Sequence, residues 1–237
     1  MKSNMQIYIA DLGESTPGCD FDEPHPSLIQ QKQRGSRGLA KDESVQRNSL
    51  TRFMLKKIVY KYLGITITEA DIALNDYGKP DLIGRDDFHF NISHCGRWIV
   101  IAVDHAPLGV DIERIQPVDY MVAKKFFSDV EYADLMDKHG SERLRYFYDL
   151  WTLKESYIKA IGRGLSIPLD SFTIRINNRR EISIKTCNNT VKCNSEWFFK
   201  QYDFDKNYRL SLCATHNDFP DLPICIYLDR AFALQYL

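Results

Sequence analysis

The sequence has almost no net charge, no paired cysteines and no long apolar run, and each absence closes off a class of function. Its 31 basic and 32 acidic side chains give a formal charge of -1, so no bulk field draws it to DNA, RNA or an anionic membrane. Any anionic ligand must be held by a local cluster. The six cysteines, at 19, 95, 187, 193, 213 and 225, form no C-x-x-C pair and have no histidine at finger spacing, which argues against zinc and redox sites. Reduced, mostly buried thiols in the cytosol are expected. The longest apolar run, WIVIAV, is far too short to span a bilayer, and MKSNMQIYIADLG lacks the apolar core of a signal peptide. A soluble, cytoplasmic protein is the expectation. Walker A and Rossmann glycine patterns are missing too, so the NTPase and nicotinamide-dinucleotide templates fail.

What is present is enough apolar side chain for a real core, 44% of 237 residues. MQIYIA reads as a strand, and residues 22–42, rich in Pro, Gln, Gly, Lys and Arg, as loop or broken helix. Leu50, Phe53, Met54, Ile58, Val59 and Tyr62 recur at helical spacing up to Gly64. NDYGKPDL is turn chemistry, and FHFNIS, WIVIAVD and VDIERI are β-type runs. Ser128 precedes a short helix, DVEYADLM, and ERLRYFYDLWTLKESYIKAIG is a long one closed by Gly162 and Gly164. SFTIRI, EISIKT, EWFFKQYDF, YRLSLCAT and ICIYL read as strands. Each half thus holds a long helix packed on a small antiparallel sheet. The predicted fold class is α+β in two similar-sized lobes, 1–106 and 107–237, joined near DHAPLG.

Two stretches carry candidate chemistry. In GVDIE a strand points Asp111 and Glu113 to one face, roughly 7 Å apart, on the solvent or cleft side, where a cation would relieve their repulsion. Such a pair is ordinarily just solvated. In the second long helix Trp151, Glu155 and Lys159 are spaced four apart and share a face. A plain Glu155–Lys159 ion pair is the simplest reading. It accounts poorly for Lys154, Glu155 and Lys159 on a helix that is apolar around much of its circumference, where charges need partners. Three carboxylates would make a hard oxygen site suited to Mg²⁺, with lysines facing phosphate oxygens, the footing for phosphoryl transfer.

GVDIE followed by WTLKESYIK resembles the paired signature of the 4'-phosphopantetheinyl transferases, and the surfactin-synthetase-activating type in particular. YGKPDL, FHFNISHCGRWIVIAVD, FFSDVEYADL and GLSIPLDSFTIRI extend the resemblance over nearly the whole chain. The resemblance implies a monomer of two pseudo-symmetric α+β halves with the nucleotide between them. It also implies Mg²⁺-dependent transfer (Mn²⁺ as a substitute) of the phosphopantetheine arm from coenzyme A to a serine of an apo carrier protein in fatty acid, polyketide or nonribosomal peptide synthesis. Adenosine 3',5'-bisphosphate is released. A Mg²⁺-dependent hydrolase of coenzyme A or a related pyrophosphate is the alternative, since the same ligands could activate water.

By the same resemblance Asp111, Glu113 and Glu155 are the metal ligands and Lys159 contacts the pyrophosphate or leaving group; Glu155 or Glu131 is the expected base toward the carrier serine. Lys32, Arg47, Ser93, His94, Lys154 and the adenine-binding turn Tyr77, Gly78, Lys79 and Pro80 contact coenzyme A. Gly35 stands where a second base is expected, with Arg34 and Arg37 as substitutes. Glu131 has two readings, the reaching arm of a capping box with Ser128, or a catalytic base or metal contact. YMVAKKFF at 120–127 is a candidate dock for an acidic carrier, its two Phe excepted as core.

Overall fold

A computed structural model describes residues 5–13, 39–177, 179–186 and 196–227. Strand β5 (Trp98–Asp104) is buried along its whole length after Trp98. A strand buried on both faces must lie between two layers. Ile99, Ile101 and Val103 pack with Met54, Ile58 and Val59 of helix α1 (Leu39–Leu63), whereas Val100 and Ala102 face Leu108, Val110 and Ile112 of β6 (Leu108–Arg114). β5 pairs antiparallel with β1 (Gln6–Asp11) and β4 (His89–Cys95). In the second sheet β10 (Tyr208–Ala214) lies between β6 and β9 (Phe198–Tyr202), antiparallel to both. Its outer face is covered by α4 (Gly140–Ile161). Two helices thus enclose two face-packed sheets. Short hairpins, β2 (Ile72–Leu74) with β3 (Pro80–Leu82) and β7 (Phe172–Ile176) with β8 (Ile182–Thr186), and helices α2 (Met121–Phe126) and α3 (Asp129–Met136) complete the described fold.

The α+β class, with a long helix on each small sheet, is as predicted. One pairing departs from the antiparallel expectation: β11 (Ile224–Tyr227) lies parallel to β1, at the far edge of the first sheet. Among the described cysteines, all free thiols, Cys213 is buried, but Cys95 is half-buried and Cys225 exposed.

Two features set how the sheets and α4 meet. β4 and β6 are edge strands, and alternate β4 side chains stand in for a neighbouring strand. Asn91 Oδ1, Ser93 Oγ and Cys95 Sγ accept from the backbone N–H groups of Val110, Ile112 and Arg114 at 2.8, 3.3 and 3.3 Å. Amides buried at a seam would otherwise lack partners, at a cost comparable to a lost hydrogen bond. The second feature is Gly109, on the α4 face of β6. A Cβ there would lie 2.0 Å from the Ser156 carbonyl oxygen and 2.4 Å from the Ala160 nitrogen. Helix and strand therefore touch backbone to backbone, an approach that only glycine permits. Gly109→Ala is expected to cost about 3 kcal/mol through overpacking, read as a fall in Tm of roughly 6–12 °C for a chain of this size. An unchanged Tm would show that the helix does not rest on this position.

Candidate active site

α4 is enclosed on almost every side: each residue from Leu150 to Ile158 is buried. Consecutive helical residues point about 100° apart, so Lys154 and Glu155 leave in different directions. Glu155 and Lys159 face β6, and Lys154 faces α3 and β7.

On the β6 side Lys159 Nζ donates to Asp111 Oδ1 at 2.6 Å and to Ser93 Oγ at 3.1 Å, while Ser93 Oγ donates to Asp111 Oδ1 at 3.1 Å. Strand, helix and opposite lobe meet at this knot. Asp111 was expected on a solvent or cleft face; it lies under α4 and is only 2% exposed, because Gly109 admits the helix. Its Oδ2 is buried with no hydrogen-bond partner. Glu113 is pushed up to about 8, first by burial, then by the charge of Asp111, with Glu155 adding to it and Lys159 opposing. Burial alone would pull Lys159 down, but Asp111, Glu155 and Glu113 outweigh it and raise its pKa. Lys159 thus forms an ion pair with Asp111 on β6, and the charge of Glu155 on its own helix adds to its stabilisation.

At the rim Arg47 Nη1 lies 3.2 Å from His94 Nδ1. A guanidinium only donates, so Nδ1 accepts and a neutral ring carries its proton on Nε2. Burial of the ring, then the charges of Arg47 and Lys159, hold His94 down at about 4, although the residue keeps an exposed edge. His94 is therefore a neutral donor at physiological pH. The 77–80 turn is exposed at Tyr77, with the Arg163 guanidinium 5.7 Å from its ring centre, and Gly78 adopts φ +85°. Lys79 and Pro80 are half-buried, and Lys79 Nζ turns to the carbonyls of Leu108 and Ala160 at 3.1 and 3.2 Å. Burial pulls its pKa down to about 8. Lys32, with Gly35, Arg34 and Arg37, lies outside the described residues.

Lys154 and Glu131 are elsewhere. Both are fully buried and paired at 2.8 Å. Lys154 Nζ also donates to the carbonyls of Leu169 and Phe172, both at 2.7 Å. Glu131 Oε2 accepts from the Ser128 amide at 2.8 Å, and Oε1 from the Ile174 amide at 2.6 Å. Of its two readings the capping box is the one seen, widened into a bolt between α3, α4 and β7. Lys154, expected to contact coenzyme A, has its ammonium bonded into this bolt, on a different face of the helix from Glu155.

Among the described residues, one trio brings ligand-type atoms all within 4.8 Å of one another: Asp104, His105 and His216. Asp111, Glu113 and Glu155 are near enough to perturb each other but do not form such a trio. In the Asp104 trio, His216 Nδ1 accepts from the Asp218 amide at 3.2 Å, so Nε2 holds the proton facing Asp104 Oδ2 at 2.6 Å. That ring has no lone pair left for a metal, and we read the trio as a hydrogen-bonded join. Sequence reasoning missed Gly109 and Arg163. The G before VDIE was a signal for the first; nothing local marked the second.

Comparison with known proteins bears on most of the chain. A family model for the 4'-phosphopantetheinyl transferase superfamily matches residues 107–213, and one for the N-terminal part of 4'-phosphopantetheinyl transferases matches residues 25–106. A 4'-phosphopantetheinyl transferase of Bacillus subtilis is 37% identical over 92% of this chain and 95% of its own length. The Sfp transferase of Bacillus subtilis strain 168 is 38% identical over 76% of this chain and 78% of its own. The Gsp transferase of Aneurinibacillus migulanus is 40% identical over 59% of this chain and 58% of its own. Together these matches place the chain in the 4'-phosphopantetheinyl transferase family, in its surfactin-synthetase-activating branch.

Proposed function

We propose that Asp111, Glu113 and Glu155 hold a divalent cation, Mg²⁺ or Mn²⁺, at the centre of a site for phosphopantetheine transfer. The enzyme moves the 4'-phosphopantetheine arm of coenzyme A to a serine of an apo carrier protein and releases adenosine 3',5'-bisphosphate. The observation that carries the site is the Asp111–Ser93–Lys159 knot, where both lobes meet at one carboxylate. The donors suit a hard cation: all are carboxylate oxygens, Asp111 Oδ2 is buried and unbonded, and Glu113 is pushed toward its neutral form by burial first and then by the charges of the other two. Bound there, the cation supplies charge neutralisation to the coenzyme A pyrophosphate.

The residues divide the remaining work. His94, neutral with its proton on Nε2, donates to a phosphate oxygen, and Arg47 orients the ring while adding positive charge. Glu155 takes the proton of the carrier serine, whose oxygen forms the new bond to the β-phosphorus as the bond to the bridging oxygen breaks. Lys159, whose raised pKa keeps it charged, offsets the charge on the departing phosphate. Tyr77 and Gly78 form the face of the turn open to a nucleotide base. All of these groups come from one chain, which supports a site complete in a monomer. The matched families are transferases, which favours serine over water as acceptor and leaves the hydrolase alternative without support. No described helix is long and apolar enough to cross a membrane. On α2, Met121, Lys124 and Lys125 are exposed while Ala123, and Phe127 just beyond the helix, are core, leaving a basic, partly apolar surface for an acidic carrier.

Three outcomes test this reading. Asp111→Asn keeps hydrogen-bonding atoms for Ser93 and Lys159 and is expected to lower transfer at least about 10³-fold, with mass spectrometry of an apo carrier as readout; near-normal transfer would end the metal assignment. Glu131→Gln is expected to lower stability by about 3 kcal/mol, because it breaks a buried ion pair, yet leave the kcat of the folded enzyme within about twofold. A large kcat loss in stable protein would restore the base reading. Reversing Lys124 and Lys125 to Glu should raise KM for the carrier about tenfold at low salt and leave KM for coenzyme A unchanged; equal effects on both would remove α2 as the dock.

A further inference from the structure

The 75–80 turn and the end of α4 come from opposite lobes, yet one side chain binds both. Asn75 Oδ1 accepts from the amides of Tyr77 and Lys79, each at 2.9 Å, closing the turn on itself. Asn75 Nδ2 donates at 2.7 Å to the carbonyl of Gly162, the residue that ends α4 with φ 76°. The contact is close, since a Cβ on Gly162 would lie 3.1 Å from both Asn75 Nδ2 and Lys79 Cδ. Lys79 crosses the same seam to the Ala160 carbonyl, one of the helix-end acceptors that lack intrahelical partners.

We propose that Asn75 is a positioning residue that couples the turn presenting Tyr77 and Gly78 to the helix presenting Glu155 and Lys159. The two ends of its amide do different work: the oxygen shapes the turn, and the nitrogen holds the helix. Gly162 is three residues beyond Lys159, about 4.5 Å along the axis, and its amide donates to the Lys159 carbonyl at 3.2 Å. A shift of the clasped end therefore moves the lysine directly. What the helix does chemically rests on the function proposed above; the clasp itself does not.

Substitution can separate the two ends. Asn75→Asp keeps the oxygen that the turn needs and sets a second oxygen against the Gly162 carbonyl; Asn75→Ser does the same work for the turn more weakly and adds no charge; Asn75→Ala removes both. The readouts are kcat and KM for coenzyme A in transfer to an apo carrier, the Kd of adenosine 3',5'-bisphosphate, and amide hydrogen exchange over residues 158–162. In all three variants kcat should fall about tenfold, well within what small misplacement of a catalytic group can cost, and exchange at 158–162 should speed up. The Kd should stay within about threefold in Asn75→Asp and Asn75→Ser, and rise about tenfold in Asn75→Ala, the equivalent of one lost hydrogen bond. Wild-type exchange in Asn75→Asp, or a loss confined to KM in every variant, overturns the proposal. A wild-type protein that transfers nothing would instead refute the proposed function, and the exchange data would still judge the clasp.

Discussion

The site depends on how one edge strand finds partners for its backbone. β6 has β10 on one side; on the other its amides meet side chains of β4 instead of a strand. That substitution sets the first lobe against the second at one register. Because Ser93 serves both the Ile112 amide and the Asp111 carboxylate, the register that joins the lobes also positions the carboxylate at the heart of the proposed site. One hydroxyl thus serves both the seam and the proposed site.

The charged residues of α4 divide along the same logic. A helix buried on almost every side has no solvent to hold its charges, so each must be matched within the protein or by a ligand. Lys154 is matched by Glu131 and two carbonyls and becomes a bolt. Glu155 and Lys159, about 100° and 140° round the axis from it, meet the Asp111 and Glu113 face, where negative charge exceeds positive. A surplus of buried acid around a single ammonium is a costly arrangement for a core and one suited to the divalent cation proposed there.

Much of this was legible in the sequence. Alternation in GVDIE placed Asp111 and Glu113 on one face, and the periodicity of WTLKESYIK placed Glu155 and Lys159 together; both are short-range consequences of strand and helix geometry. The depth of the site was not legible. Nothing in a strand's own residues says whether water or a helix covers it, and the glycine that decided the matter reads equally well as a turn residue. The parallel pairing of β11 with β1 was hidden for a related reason, since pairing partner is a property of two distant segments. Glu131 shows the limit from the other side: its capping-box spacing was visible, but the ammonium that makes it a bolt comes from another helix.

Met121, Lys124 and Lys125 sit on α2, a short outer helix whose inner residues join the core next to α3. The surface proposed for choosing an acceptor is thus separate from the enclosed helix that carries the proposed catalytic residues. Mutations can accumulate on the one without disturbing the other, so a scaffold of this kind can be redirected to new client proteins while its reaction stays the same.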